Sequence, residues 1–467
     1  MKTLMCALVL LLSTSVFATD DSVAIDPFQD ENKESFYFLP LPPSQAYSRA
    51  QAVFNYFKVP TEVSNEDSIR VFQSATSLAE MKQILDVIDT TIQFGRFVRV
   101  STDSMDVFQD RDGYTKKDFH FEFSPTKDST YIPDAIANIT NARNNSEEEP
   151  LRGLRIALDP GHMSTRDWEL RTGKYVKNRS GIIISEGLIV LQTALLLKTE
   201  FEKLGATVTL TREDHQPVSK VTLSSLDLKE FGRLALRERS LEDWFQSLLT
   251  VAAPGPALYS AFEKSSKVQA LFKESARENY FIVREDLKAR VNAIDEAKPD
   301  ISLVLHYDTI DPPGNPNGVG TSPYSKVKTY IHGALSAQEW ATQDDRLHVL
   351  KHALDPETYK ASLGLAKSVV NNLSSTLGLV HDVSGGGNSK LIAPGVFVRN
   401  LYISRKMHGH AHAYVECLHY NDPKEFKALQ QKDFQVAIAG QTTYYSKRLQ
   451  QVVFGIRDGV VKFVRGQ

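Results

Sequence analysis

The stretch Leu154-Arg-Ile-Ala-Leu-Asp-Pro-Gly-His162 decides the fold predicted for this chain. Its apolar run ends at Asp159-Pro160-Gly161, which is typical of a buried strand followed by a tight turn. The turn places His162 at the carboxyl end of the strand, and ligands bind at that edge of an open α/β sheet. A single histidine there is as readily a surface residue of a strand–helix loop. The prediction of a site therefore depends on partners further along the chain.

Later segments extend this strand into a sheet. Residues 187–204 have leucines at helical spacing, and residues 206–211 follow as a strand, which predicts a parallel βαβ crossover. An amphipathic helix over 285–297 precedes a second buried strand, Ile301 to Leu305. The expected fold class is α/β, with a mainly parallel sheet flanked by helices.

The carboxyl-terminal part predicts further elements of the same fold. Val327 to Ile331 is a candidate strand, and 334 to about 379 is expected to be mostly helical. The glycine-rich stretch 384–389 lacks the pattern of a phosphate-binding loop, so we interpret it as a mobile rim loop or linker turn. Residues 407–416 alternate like a strand, and 423 to about 448 predict a closing helix.

Length and composition limit the function classes. The chain has 467 residues, enough for two or three domains of roughly 100–200 residues each. Its 42% hydrophobic and 24% charged residues are ordinary for a globular protein. The formal net charge of −3 gives no electrostatic argument for a nucleic-acid partner or an anionic membrane.

The first 18 residues predict a secretory signal peptide. Lys2 precedes an apolar core over 4–12, and Val16 and Ala18 suit a cut after Ala18. The alternative is a buried amino-terminal helix. The core is too short for a stable membrane anchor, and no other stretch is long and apolar enough to span a bilayer. We therefore expect an exported protein, periplasmic or secreted, without stable membrane insertion.

Cysteine usage restricts any metal site. After removal of residues 1–18 only Cys417 remains, so no internal disulfide can form. A zinc site built from several cysteines is excluded as well, and a metal would have to be held mainly by histidine and carboxylate side chains.

Residues 19–150 are predicted to be a small amino-terminal α+β module with a linker. Its expected elements are helices at 44–56 and 78–94, strands at 97–100 and 120–124, and a polar linker at 141–150. Residues 151–467 form the predicted catalytic domain. Segments at about 213–283 and 311–380 are interpreted as insertions into that domain, and the first is predicted to be helical and to act as a lid or regulatory arm.

Three side chains at predicted element edges are candidate metal ligands. His162 and His306 each follow a strand, and Glu186 begins a helix. Two imidazoles and one carboxylate suit catalytic zinc with a fourth position for water. Glu416 could then take and deliver a proton. Taken singly, His306 is equally a satisfied histidine at a strand end, and Glu186 a carboxylate that complements its helix dipole.

A run of histidines precedes Glu416. Alternation places His408, His410, His412 and Glu416 on one strand face if the strand is regular. These histidines could form a metal site of their own, but a shared pocket with Glu416 is the favoured interpretation.

Four motifs in order resemble the zinc-dependent N-acetylmuramoyl-L-alanine amidases of the Amidase_3 type. They are Ile156-Ala-Leu-Asp-Pro-Gly-His162; Ser185-Glu186-Gly-Leu-Ile-Val-Leu-Gln-Thr-Ala194 with the strand up to Arg212; Arg290-Val-Asn292 with Asp300-Ile-Ser-Leu-Val-Leu-His306; and Ala413-Tyr-Val-Glu416-Cys-Leu-His-Tyr-Asn-Asp422.

The resemblance covers about 151–450 and implies one zinc ion per chain, held by His162, Glu186 and His306, with Glu416 as the catalytic residue. It implies cleavage of the amide between N-acetylmuramic acid and L-alanine in peptidoglycan. A regulatory protein acting on 213–283 is a further expected partner. The alternatives are another zinc peptidase or deacetylase of the cell wall, and a non-catalytic member that binds peptidoglycan or a partner.

Overall fold

The protein is described by a computed structural model. It describes residues 76–90, 94–109, 112–123, 132–172, 174–222, 225, 281–310, 317–335, 343–386 and 389–467. The predicted signal peptide, the predicted helix at 44–56 and most of the predicted insertion at 213–283 lie outside these residues. None of the described helices is long and apolar enough to cross a membrane.

Strands are numbered here in chain order. They are β1 (Val98–Val100), β2 (Ser104–Phe108), β3 (Lys117–Glu122), β4 (Arg155–Pro160), β5 (Tyr175–Lys177), β6 (Ile183–Ser185), β7 (Thr207–Leu210), β8 (Ile301–Asp308), β9 (Lys326–His332), β10 (Val380–His381), β11 (Ser389–Ala393), β12 (Val396–Arg399), β13 (Ala411–His419), β14 (Phe434–Ile438) and β15 (Gln441–Tyr445).

Helices are numbered in the same way, and a π-helical turn over Phe281–Asp286 precedes α6. They are α1 (Leu78–Ile88), α2 (Phe94–Phe97), α3 (Asp134–Ala142), α4 (Arg166–Thr172), α5 (Glu186–Lys203), α6 (Leu287–Ala297), α7 (Gln343–Ala353), α8 (Pro356–Leu377), α9 (Tyr402–Lys406), α10 (Pro423–Leu429) and α11 (Lys447–Arg465).

The main sheet has eight strands. Its order is β11-β12-β9-β13-β8-β4-β7, and β10 pairs with β9 off this path. The pairs β4–β7, β4–β8, β8–β13, β9–β12 and β9–β10 are parallel, whereas β9–β13 and β11–β12 are antiparallel. The predicted α/β fold with a mainly parallel sheet is therefore confirmed.

Helices cover both faces of this sheet, which explains why every residue of β8 and β13 is buried. One apolar cluster joins the sheet to α5, α8 and α11. A second cluster on the opposite face joins Val304 and Tyr414 to α6 and α9. The strand ends that carry polar side chains lie between these two layers.

The small sheet β1-β2-β3 is docked on the main domain. The Asp118 carboxylate of β3 accepts a hydrogen bond of 2.5 Å from Arg346 Nη2 of α7, and both side chains are buried. Leu335 N donates to Ile88 O at 3.2 Å. Apolar residues of the small sheet belong to the same cluster as the main core, so this module is packed onto the main domain rather than tethered to it.

The predicted closing helix at 423–448 is wrong. Pro423 begins α10, as predicted, and Asp422 caps it, but the helix ends at Leu429. A hairpin of β14 and β15 follows, and its turn residues Ala439 and Gly440 both have positive φ. α11 starts afterwards, at the Ser446 cap.

Other boundaries also differ from the predictions. α1 ends at Ile88 rather than near 94, and β2 was not predicted. The helical stretch 334–379 is divided into α7 and α8, because Asp355 caps a new helix that begins with Pro356. The predicted insertion at 311–380 includes β9, which pairs within the main sheet.

α11 packs closely against α8 through glycine. A Cβ built on Gly459 would lie 2.7 Å from the Cα of Val369. We expect Gly459→Ala to lower the free energy of unfolding by about 1–3 kcal/mol, because the two helices would have to separate. Urea denaturation measures this change. Gly95→Ala is the control, since a Cβ there meets no described atom within 4 Å. Equal stability of both variants would contradict the close packing.

Candidate metal centre

Parallel pairing brings His162 and His306 to one edge of the sheet. Pro160 at the end of β4 is in register with Leu305 of β8, so the residues that follow them emerge side by side. His162 has a φ of 55°, a left-handed backbone that L-residues resist but histidine adopts more often than most. His306 packs over Gly161, where a Cβ would lie 2.2 Å from His306 Nε2.

Glu186 reaches both histidines from the first turn of α5. Its Oε1 lies 3.1 Å from His162 Nε2 and 3.2 Å from His306 Nδ1. The same oxygen accepts a hydrogen bond from Tyr307 N at 3.2 Å. Ser185 caps the helix, which fixes Glu186 at the point where β6 ends and the helix begins.

The charges of this group suit a cation. Burial, together with the charges of Lys174 and His306, lowers the pKa of His162 to about 3 against the opposing effect of Glu186. Burial opposes ionisation of Glu186, but His162 and Lys174 hold its pKa below the ordinary range. At neutral pH the group therefore offers a neutral imidazole at His162 and a carboxylate at Glu186, the protonation states that a metal requires.

His162, Glu186 and His306 form one of two candidate metal-binding groups among the described residues. One ligand atom from each lies within 4.8 Å of the others, and all three residues are buried. Two imidazole nitrogens and a carboxylate oxygen are a donor set that fits zinc. The donor set and its spacing therefore fit the metal that the resemblance implies.

Glu416 lies on the next strand, in register with His306. Registered residues of paired strands point to the same face, so Glu416 and His306 share one side of the sheet. Glu416 Oε2 is buried and has no hydrogen-bond partner within the described part of the chain. Burial raises the pKa of Glu416 well above its usual value, and the charges of Asp308 and Glu186 add to this shift.

The second group consists of Asp308, Asp382 and His419. Its position is already taken by an ammonium group, because Lys328 Nζ lies 2.5 Å from Asp308 Oδ2 and 3.2 Å from Asp382 Oδ2. Lys328 is also in register with Glu416 across β9 and β13. We interpret this group as a buried ion-pair network beside Glu416 rather than as a metal site.

The histidines before Glu416 belong to neither group. His412 Nδ1 and His410 Nε2 each lie 2.8 Å from Ser302 Oγ. His408 Nε2 lies 2.7 Å from His348 Nδ1 of α7. Burial lowers the pKa of His408 and His412 well below the usual value and that of His410 to about 4. These histidines pack as neutral rings, and only His412 lies on β13 with Glu416.

Residue-level reasoning did not single out Lys328, Arg212 or Arg290. Arg290 follows Leu287 by three residues on the apolar side of α6, where its neighbours Val291 and Ile294 are buried. A charged residue on the buried face of a helix was the signal available in the sequence. Lys328 gave no comparable signal, because its strand also contains the polar residues Lys326, Thr329 and His332.

A family model described as N-acetylmuramoyl-L-alanine amidase, Amidase_3, matches residues 257–444. This stretch of the chain is similar to the Amidase_3 family. The matched range includes His306 and Glu416, whereas His162 and Glu186 precede it. The chain is also similar to the probable cell wall amidase LytH of Staphylococcus aureus, with 30% identity over 151 residues, or 31% of this chain and 48% of that protein. The chain thus spans about half the length of the curated relatives it matches.

Solved structures of amidases are similar to this chain at low identity. The CwlD amidase of Clostridioides difficile, determined in complex with the GerS lipoprotein, is 16% identical, with a TM-score of 0.36 over 68% of this chain and 100% of that one. The amidase Ami1 of Mycobacterium smegmatis is 13% identical, with a TM-score of 0.37 over 68% of this chain and 99% of that one.

The contact between Gly161 and His306 yields a prediction. We expect Gly161→Ala to weaken zinc binding by at least about 10-fold, because the added methyl group would displace the His306 ring from Glu186. Competition with a chromophoric chelator measures the affinity. Gly95→Ala serves as the control and should bind zinc like the wild type. Unchanged affinity in Gly161→Ala would show that His306 does not contribute to binding.

Proposed function

We propose that this protein is an exported zinc hydrolase that cleaves the amide between N-acetylmuramic acid and L-alanine in peptidoglycan. The observation that carries the proposal is the group of His162, Glu186 and His306, with Glu416 beside it on the same face of the sheet. The family match supports the choice of substrate. Peptidoglycan is accordingly the proposed partner, and the periplasm or the extracellular space the proposed location.

His162, Glu186 and His306 would hold one zinc ion. When bound, zinc supplies Lewis-acid chemistry for amide hydrolysis. The neighbours of these ligands fix their orientation: Tyr307 N donates to Glu186 Oε1, and Tyr414 stacks on the His306 ring with centroids 4.5 Å apart. These contacts reduce the freedom of the ligands and exclude water from their outer sides.

Glu416 is the proposed catalytic residue, which takes a proton from the attacking water and delivers it to the leaving nitrogen. Its Oε2 has no hydrogen-bond partner among the residues that the structure describes, which leaves this oxygen available to exchange a proton with the substrate. The positive charge of a cation on the neighbouring ligands would favour its carboxylate form. Lys328 and the Asp308 carboxylate are both buried on the adjacent strands, and their charges set the electrostatic potential around Glu416.

The proposed division places catalysis in residues 151–467, preceded by a signal peptide over 1–18 and a module and linker over 19–150. All four proposed site residues lie in the catalytic part. A regulatory protein that acts on 213–283 remains a prediction, because most of that segment lies outside the described residues.

The proposal is tested with purified sacculi. We expect the zinc-loaded protein to hold one zinc per chain and to release stem peptides that begin with L-alanine, leaving lactyl-muramic acid on the glycan. Mass spectrometry of the products distinguishes the alternatives. Cleavage within the stem peptide would identify a peptidase, release of acetate a deacetylase, and binding without release a non-catalytic protein.

Glu416→Gln gives the matched test of the mechanism. The variant should retain one zinc per chain and lose turnover by about 10²–10⁴-fold, since glutamine cannot accept the proton. Wild-type turnover would refute the role of Glu416. Loss of zinc would instead assign Glu416 to metal binding.

The stability of the metal-free protein should depend on Glu416 and pH. Because the pKa of this carboxyl is raised in the folded state, its contribution is fully present below the unfolded pKa of about 4.3 and is lost as pH rises through the folded-state value. The glutamine of the Glu416→Gln variant does not ionise. Urea denaturation at pH 5 and pH 8 should therefore show a stability advantage of Glu416→Gln that grows with pH. An advantage that shrinks with pH would contradict a raised pKa.

A further inference from the structure

A buried guanidinium group contacts the backbone of the first proposed ligand. Arg290 Nη2 donates to His162 O at 2.8 Å, and Arg290 Nη1 donates to Pro160 O at 2.7 Å. Arg290 thus forms hydrogen bonds with the carbonyl groups of the two residues that flank Gly161. These bonds form where His162 has its left-handed backbone, a conformation that needs outside support.

Two carboxylates orient Arg290. Its Nε donates to Asp286 Oδ2 at 2.7 Å, and its Nη1 donates to Asp159 Oδ1 at 2.9 Å. The three side chains are each only 2% exposed. The guanidinium fork is therefore held on both sides, and its remaining donors point at the turn that carries His162.

Asp286 also connects Arg290 to a second part of the chain. Its Oδ1 accepts hydrogen bonds from Val218 N at 2.6 Å and from Ser219 N at 3.0 Å. One carboxylate therefore fixes the segment after β7, the start of α6 and, through Arg290, the carbonyl of His162.

A second arginine joins the turn to the helix that carries Glu186. Arg212 Nη2 donates to Gly161 O and to Gly187 O, both at 3.0 Å. The spacing between the segments that bear His162 and Glu186 is thereby set by one rigid planar group. Gly187 allows this approach, because a Cβ there would lie 2.1 Å from Met163 O.

We propose that Arg290, oriented by Asp286, is a positioning residue that holds His162 in the geometry required for metal binding. This inference rests on the proposed metal site. Arg290 acts through the backbone of His162 and touches neither the substrate nor the reacting atoms. Loss of its fork geometry should release the His162 carbonyl and let the imidazole move away from Glu186.

Arg290→Lys is the first test, because lysine keeps the positive charge between Asp159 and Asp286 but cannot form the four directed bonds. We expect zinc affinity to fall by about 10–100-fold. The visible absorption spectrum of the cobalt-substituted protein should also change, since it reports on ligand geometry. Asp286→Asn removes the orienting charge without changing the volume of the side chain. It should also weaken zinc binding and change the cobalt spectrum.

Matched controls come from the buried pair Asp118–Arg346, whose side chains are each 3% exposed and which joins β3 to α7. Arg346→Lys and Asp118→Asn should lower the thermal midpoint but leave zinc affinity and the cobalt spectrum unchanged. A purely structural role of Arg290 would give this same result for Arg290→Lys, and the proposal would then be wrong. If Arg290→Lys does not fold, the zinc affinity and the cobalt spectrum of Asp286→Asn test the proposal instead.

The outcomes separate this proposal from the proposed function. Absence of zinc binding in the wild-type protein would overturn the metal site and the inference with it. Normal zinc binding in the wild type, in Arg290→Lys and in Asp286→Asn would overturn only the positioning role.

Discussion

The structure depends on the parallel pairing of β4 with β8. This pairing aligns the carboxyl ends of two strands that are separated by more than 140 residues in the chain. Because parallel neighbours end at the same edge, His162 and His306 emerge side by side, with ring centroids 4.5 Å apart. The pairing with β13 adds Glu416 to the same face. The positions of these three side chains follow from the alignment, and Glu186 reaches the two histidines from α5.

The site is buried, so the polar groups around it determine the positions of its charged side chains. Unpaired charges are unfavourable in such a place, and several of its ionic groups have partners that fix their positions. Glu186 lies between two imidazoles, and Lys328 lies between two aspartates. Arg290 and Arg212 hold the carbonyls of the turn at Gly161. The geometry of the ligands is thus set largely by groups that bind no metal themselves.

Glycine at two positions allows this crowding. At Gly161 a side chain would collide with the His306 ring, and at Gly187 it would collide with the Met163 carbonyl. Both residues adjoin a proposed ligand, so the backbone approaches the site more closely than any other residue would permit. The motif around His162 therefore supplies a proposed ligand and also a glycine that the close packing requires.

The α/β class, the strand that ends just before His162, the strand that carries His306 and the position of Glu186 at a helix start could all be predicted from the sequence. These follow from local periodicity and from capping and turn residues, which neighbouring residues encode. The sequence misplaced the closing helix, because the register of β14 and β15 depends on a turn and on packing rather than on helical periodicity. The ion pairs of Lys328 with Asp308 and Asp382, and the contacts of His410 and His412 with Ser302, became visible in the folded structure alone. It alone showed that Arg290 supports His162, because such contacts join residues distant in sequence and leave only a charged residue on a buried face as their local trace.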